Sequence, residues 1–464
     1  MAKTINLIEI WGLHGYQNFR IPIRDNRLVL IGVNGIGKTT VVNILYYFLS
    51  RQWRKLAEFE FEKISIRIGT KKLTITADSV IPPTSSLRYI FRTLPPVLRK
   101  RINIDDQRSI ARLMVLDQWK EIEDRHGIPS SALKRRFEAG SREAWQNLPF
   151  IDDGDDGSNI IRSISEYIDN NIFGQILYLP TYRRIEQDLQ SIFPNFDDEY
   201  TDRVAGRLAR NQSRKHGYIE LVQFGMEDVE SKIRNKINSL KDQARIELND
   251  LVGSYLRDVI GGVPEQSSTA VLNELGEMEI DRILARVEER TLPKSEKNKL
   301  KETISDVRNQ ISNNTSEDAR YAVHFFLKLV DMHRSQTEKE QSMYNFSNIC
   351  NNYLDGKTVE FDETEYDLKI VSDNGEYIKP HELSSGEKQI VSLMSHIYLS
   401  DYDSFNIIID EPELSLSMEW QKRLLPDLVN SEKCNFLIAV THSPFIFDNE
   451  LDDYAVDLRK CRVN

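Results

Sequence analysis

The 464 residues predict an α/β head split by large helical, coiled-coil-like insertions. Three observations carry this expectation. Strand and helix periodicities alternate over residues 1–80 and return over 356–464, and the stretch between is helical in pattern almost throughout. Within that stretch the apolar residues step at coiled-coil spacing. The expected organisation is therefore an N-terminal half-head (1–80), a helical insertion (81–170) and a return strand of the head (171–187). A second helical or coiled-coil insertion (188–355) and the C-terminal half-head (356–464) complete it.

Residues 4–11 and 18–23 alternate as a strand pair, and Leu28–Ile31 is a short apolar run ending at Gly32. A helix follows from Lys38 to about Ser50, then a hairpin of Lys63–Ile68 and Lys72–Thr76 turning at Gly69. From Pro82 the pattern is helical, interrupted by an acidic loop at 152–157 whose spacing fails the EF-hand rule and reads as solvated. Gln175–Leu179 is a core strand. Between about Asp188 and Leu354 nearly everything is helix. Val229, Ile233, Ile237, Leu240, Ala244, Leu248, Leu251 and Tyr255 form a narrow seam, and Leu300, Ile304, Val307 and Ile311 form a second. Coiled-coil arms and an ordinary helical bundle both fit. Strands return at Thr358–Asp362 and Asp367–Val371, followed by a helix from Glu387 to about Leu399. Strand Asn406–Ile409, a helix near Glu419–Val429 and strand Phe436–Val440 close the series.

With 40% hydrophobic and 29% charged residues the chain can bury a sizeable core, which excludes wholesale disorder. Its net charge of −11 argues against a protein that coats nucleic acid non-specifically. Local basic clusters remain at Arg99–Arg101, Lys134–Arg136, Arg183, Arg184 and Arg207, Arg210, Arg214, Lys215, for which a solvated helix face is the alternative. The three cysteines, Cys350, Cys434 and Cys461, have no metal or disulfide spacing and fit a reducing compartment. Without an apolar leader or a membrane-length run, we expect a cytoplasmic protein.

Gly32-Val33-Asn34-Gly35-Ile36-Gly37-Lys38-Thr39 matches G-x-x-x-x-G-K-[ST] between an expected strand and helix. Glycines let backbone N–H groups curl round a phosphate, and the helix N-terminus adds its dipole. Asn34, Gly35, Gly37, Lys38, Thr39 and Thr40 are the expected ATP contacts, with Lys38 on the β- and γ-phosphates and Thr39 on Mg²⁺. A simple glycine-rich turn is the alternative. Asn406–Asp410 is an apolar strand ending in the carboxylates Asp410 and Glu411. Asp410 would hold Mg²⁺ through water and Glu411 would polarise the attacking water, unless the pair merely opens an acidic helix. Ser384, Ser385 and Gly386 precede a helix, as either a plain N-cap or a signature loop that completes the nucleotide site of a second copy. His442 stands at the end of the Phe436–Val440 strand, as a structural residue or a γ-phosphate sensor.

Taken in order, these motifs resemble those of the ATP-binding-cassette (ABC) ATPases of the chromosome-maintenance and RecF type. Within that class the head is most similar to the OLD-like group used in bacterial phage defence. The shared pieces include His14–Phe19, Tyr46–Ser50, Pro180–Glu186, Phe224–Val229 and Asp410–Leu416. The pattern looks most like the AriA-type ATPase subunit of the PARIS anti-phage system, with Septu and retron ATPases as near relatives. The resemblance implies an ABC-ATPase head that uses ATP and Mg²⁺, with Lys38, Glu411 and His442 as catalytic residues. It implies an ATP-sandwich dimer that assembles further into a hexamer-like ring. A separate nuclease effector of Toprim type and a phage-encoded, DNA-mimicking trigger are the implied partners. The signature departs from the transporter form at Ser385 and Glu387, Ser417 is unusual after the strand carboxylates, and Gln52, Gln175 and Gln223 compete for the Q-loop role.

Overall fold

The computed structural model describes residues 3–80, 109–110, 113–114, 118–129, 156–180, 218–220, 226–262, 270–309 and 317–463. The expectations at Arg99–Arg101, Lys134–Arg136, 152–155, Arg183, Arg184, Arg207–Lys215 and Gln223 lie outside the described residues. In chain order the elements are β1 (Ile5–Leu13), β2 (Gln17–Pro22), β3 (Arg27–Ile31), α1 (Lys38–Leu49), α2 (Trp53–Ala57), β4 (Lys63–Ile68), β5 (Lys71–Thr76), α3 (Trp119–His126), α4 (Asp156–Asn171), β6 (Gln175–Leu179) and β7 (Tyr218–Glu220). There follow α5 (Met226–Gly261), α6 (Ala270–Glu274), α7 (Glu277–Ala285), α8 (Lys294–Asn309), α9 (Glu317–Asn351), β8 (Lys357–Asp362), β9 (Asp367–Ser372), β10 (Tyr377–Ile378), α10 (Ser385–Tyr398), β11 (Phe405–Asp410), α11 (Met418–Val429), β12 (Cys434–Val440) and β13 (Ala455–Asp457). Backbone contacts divide the chain into two units, Met1–Gln223 with Tyr402–Asn464, and Phe224–Asp401.

The first unit is the α/β head. Its larger sheet has the order β13-β3-β12-β11-β6-β7 and every pairing in it is parallel. The strands β11 and β6 are buried along their whole length, as their largely apolar sequences (Ile407–Ile409, Ile176–Leu179) demand. A second, antiparallel sheet runs β2-β1-β4-β5, with the alternating burial of a sheet that has one wet face. Helix α1 buries Val41, Val42, Ile44, Leu45 and Phe48 in a core shared with Ile8, Ile10 and Phe19 of the antiparallel sheet and Leu30, Ile438 and Val440 of the parallel one. Tyr178 stacks on Tyr46 at 4.2 Å and its hydroxyl meets the Asn43 side chain, fastening β6 to the same helix. Two asparagines bridge distant segments. Asn26 accepts from the Ile5 amide at 2.8 Å and donates to the Asn435 carbonyl at 3.1 Å, and Asn406 donates to the Phe173 carbonyl at 2.9 Å.

Tyr218–Glu220 forms a strand where helix is expected. Its ladder with Ile176–Tyr178 outweighs local pattern, and the aromatic and β-branched Tyr218 and Ile219 suit that pairing. The short β13 beside β3 is likewise absent from the sequence-based expectation.

The second unit is built on two long helices, α5 with 36 residues and α9 with 35, the former about 54 Å long at 1.5 Å per residue. Val229, Ile237, Leu240 and Leu251 of the α5 seam are buried. Around Leu251, Leu272 of α6, Ile280 and Ile283 of α7, Leu300 and Ile304 of α8 and Phe326 and Leu329 of α9 close a bundle-like cluster. Coiled-coil spacing and bundle packing therefore coexist in one insertion. The three-stranded sheet β10-β9-β8 belongs to this unit. Arg286 lies buried between Glu340, which it holds through two bonds of 3.0 and 2.8 Å, and Glu363 at 2.8 Å. A bidentate guanidinium–carboxylate fork lets such charges be buried, because each partner satisfies the other's hydrogen bonds. Among the described residues no helix is long and apolar enough to cross a membrane.

One basic pair in this unit is shifted by its burial. Lys232 of α5 lies 2.5 Å from His396 Nδ1 of α10. Burial pushes the lysine down to about 7, against the opposing field of Asp228. Burial, and then the charge of Lys232, push the imidazole well below its usual range. A lysine depressed in the folded state leaves the unfolded chain binding more protons between about pH 7 and 10.5, so stability rises with pH across that window. Lys232→Met should flatten this rise and stabilise the protein at pH 7 by on the order of a few kcal/mol, read by denaturant unfolding at pH 7 and pH 10.

Candidate functional site

The ends of β3, β11 and β12 meet at one edge of the parallel sheet. The chain leaves β3 at Ile31 and turns through residues 32–37 into α1. Gly35 and Gly37 sit at φ +78° and +99°, conformations that cost an L side chain strain. Gly37 is the N-cap of α1 and no side chain caps that helix, so its first amides are left for an anion. Lys38, at the first helical position, is buried. Its ammonium donates to the carbonyls of Gly32 (2.9 Å) and Val33 (3.1 Å) and lies 2.7 Å from His442 Nε2. Burial lowers its pKa against the opposing fields of Glu411, Asp410, Glu413 and Asp457.

The carboxylates come from β11. Asp410 is fully buried at the strand end and accepts from Thr39 Oγ1 at 3.4 Å. The next residue, Glu411, is at φ +50°, a strained value for a non-glycine residue that turns its side chain out of the ladder. Glu411 Oε1 lies 3.7 Å from His442 Nε2, so the imidazole stands between Glu411 and Lys38. His442 is itself held by Glu413, whose Oε1 accepts the backbone amides of His442 (2.8 Å) and Ser443 (3.1 Å). Ser443 Oγ donates to Gln421 of α11 at 2.6 Å. A cleft of about 430 Å³ opens over these groups, lined by the loop from Asn34 to Thr40, by Glu411 and His442, and by His14, Tyr16 and Gln17.

The sequence-predicted Asn34, Gly35, Gly37, Lys38, Thr39, Thr40, Glu411 and His442 thus share one cleft, with Asp410 bonded behind it. Ser384, Ser385 and Gly386 belong to the second unit, at the start of α10. There Ser384 forms a capping box: its Oγ accepts from the Glu387 amide at 3.4 Å, and its own amide donates to Glu387 at 2.7 Å. Lys357 bonds both Glu387 oxygens, at 2.7 and 2.8 Å. Gln52 stands just before α2 with its side chain donating to Ser50 Oγ at 2.9 Å, and Gln175 opens β6; neither lines the cleft.

The glutamine that does line it is Gln17, which sequence reasoning gave no role. With His14 and Tyr16 it sits on the β1–β2 turn, where His14 (φ +52°) and Gly15 (φ +79°) reverse the chain. Only the pairing of β1 with β2 brings that turn to the loop, and no spacing rule foretells it. Glu413 was equally silent. Glu413→Ala removes the acceptor of two amides, so hydrogen exchange at His442 and Ser443 should quicken by roughly tenfold or more, read by exchange mass spectrometry on peptides spanning 441–446.

The family model described as AAA ATPase domain matches residues 4–447. No curated protein matches the chain. Among solved structures, the chain is similar to the Smc head domain with an extended coiled coil bound to the C-terminal domain of ScpA, derived from Pyrococcus furiosus. That similarity is 11% identity over 98% of this chain and 94% of the other, with a TM-score of 0.33. An SmcHead bound to the C-winged helix domain of ScpA matches at 11% identity over 96% and 90% of the two chains, TM-score 0.32. An Smc head domain with a coiled coil and joint from Pyrococcus yayanosii gives 13%, 96%, 93% and 0.29. Likenesses this remote leave the family match, which spans nearly the whole chain, as the finding that counts. With the phosphate loop, Glu411 and the histidine gathered in one cleft and Asp410 bonded behind it, the chain belongs to the AAA ATPase domain family and is an ATP-hydrolysing enzyme.

Proposed function

We propose that the chain is the ATP-driven sensor subunit of a bacterial anti-phage defence system, holding a separate toxic nuclease and freeing it when a phage protein is sensed. The nucleotide half of this reading rests on the convergence of Lys38, Thr39, Asp410, Glu411 and His442. Lys38 would leave the carbonyls of Gly32 and Val33 for the β- and γ-phosphates, beside the open amides of α1. Glu411 would orient and polarise the attacking water, and His442, next to both Glu411 and Lys38, would report on the γ-phosphate. Thr39 and Asp410, which meet at 3.4 Å, would hold Mg²⁺, which would screen the phosphate charge. Among the described residues no group of three or more His, Cys, Asp or Glu could hold a metal, so the ion would take its other oxygens from phosphate and water, as Mg²⁺ favours.

The defence half rests on the motif set shared with the OLD-like group. In it, Ser384–Gly386 would complete the nucleotide site of a second copy, making an ATP-sandwich dimer the minimal active unit. A second reading draws support from the long helices α5 and α9, which suit a repair or chromosome-maintenance ATPase that clamps DNA. That enzyme would show DNA-stimulated hydrolysis falling steeply with salt.

Lys38→Ala should abolish ATP binding. Glu411→Gln should bind ATP while hydrolysis drops by about two orders of magnitude or more. Parental turnover by Glu411→Gln would remove Glu411 from the mechanism. Ser384→Arg should block ATP-dependent dimerisation, followed by light scattering; an unchanged assembly would sink the role in trans. Native mass of the protein co-expressed with its neighbouring reading frames, with and without ATP, tests the sensor itself. A retained second protein supports it, and a bare monomer–dimer equilibrium responding to ATP and DNA favours the clamp.

A further inference from the structure

We propose that Asp457 and Arg459 form a charge-compensated positioning element of the phosphate loop, with Arg459 cancelling a carboxylate that would otherwise repel the nucleotide. Strand β13 pairs with β3 in parallel register, and Asp457 stands opposite Ile31, the residue before Gly32. The carboxylate reaches the loop itself: a Cβ built on Gly32 would meet Asp457 Oδ1 at 3.6 Å and Leu458 Cβ at 3.8 Å. Gly32 is also the residue whose carbonyl holds the Lys38 ammonium, at 2.9 Å. Asp457 is one of the four carboxylates whose fields act on Lys38.

A carboxylate in that position opposes an incoming polyphosphate. Arg459 answers it directly. Its backbone amide (2.9 Å) and Nε (3.1 Å) donate to Oδ1, while Nε (3.0 Å) and Nη2 (2.6 Å) donate to Oδ2. The Asp457 side chain is 14% exposed and that of Arg459 59%, so the guanidinium covers the acid and faces solvent. Hydrogen bonds from Arg459 hold the Asp457 carboxyl below its usual range. A purely local role, capping the turn at Leu458–Cys461, needs only the backbone amide of Arg459 and is indifferent to its charge.

The test measures ATP affinity, by competition with a fluorescent ATP analogue in the presence of Mg²⁺, together with kcat and KM. Removing one charge at the rim of the loop should weaken ATP by roughly three- to tenfold in R459Q, with kcat near parental, and R459K should recover most of the loss. The combined D457N and R459Q chain should return to within about twofold of the parental affinity, since the offending carboxylate is gone. Unchanged affinity in R459Q overturns the inference, and so does a double variant as weak as R459Q, which would mark a structural defect. A parental chain that binds no ATP would overturn the nucleotide site as well, whereas an indifferent R459Q overturns this element alone.

Discussion

The parallel ladder of β3, β12 and β11 is the constraint on which the site depends. Leu30 pairs with Val440, and Val440 pairs with Asp410, so three segments from opposite ends of the chain finish at one level. Two backbone bonds extend the ladder past the strands, Thr441 N–H to Leu30 O at 3.2 Å and Glu411 N–H to Val440 O at 2.8 Å. A slip of one residue would turn each side chain to the opposite face. Asp410 would then leave the Thr39 hydroxyl, and Glu411 would leave His442. The apolar runs Ile407–Ile409 and Phe436–Val440 make that slip costly, because their buried positions are continuous. Chemistry at the rim thus inherits its geometry from burial in the sheet.

Where the site was legible in the sequence, it was legible because chemistry and local structure coincide. The loop needs glycines at left-handed φ and a lysine at the first helical position, and both requirements are written within eight consecutive residues. Asp410 and Glu411 announce themselves as charges ending an apolar strand. The missed residues act through contacts that only the assembled fold creates. Tyr16 and Gln17 reach the cleft on a turn whose position is set by sheet pairing. Glu413 accepts amides contributed by the end of another strand, 29 positions on. Tyr218–Glu220, three residues long, is a strand because β6 has a free edge to fill, not because its own pattern demands it.

The second unit is a different physical object. Its long helices bury a narrow seam of single residues per turn, whereas the head buries whole strands and both faces of a sheet. Beside its apolar cluster, two polar contacts of this unit are made in dry surroundings. Arg286 with Glu340 and Glu363 is one, and Lys232 against His396 is another. Paired charges survive burial because each partner satisfies the other, while two basic groups facing each other survive by losing protons. The same desolvation therefore strengthens one contact and makes the other pH-dependent.

The charge balance of the head bears on what it can hold. Lys38 is the lysine at the heart of the loop, and the carboxylates of Asp410, Glu411, Glu413 and Asp457 all act on it. On a chain of net charge −11, such a site offers a polyphosphate no general attraction. On the proposed reading its affinity would come from short-range donors: the uncapped amides at the start of α1, the Lys38 ammonium once released from the Gly32 and Val33 carbonyls, and the cations that cover the acids. Glu413 is already occupied by two amides, and Asp457 by Arg459. Asp410 meets the Thr39 hydroxyl and Glu411 faces His442, and these are the two that, on the proposed reading, a divalent ion and a polarised water would require as anions. On that reading, an acidic site of this kind would favour a nucleotide that arrives with its cation over a bare anion of the same shape.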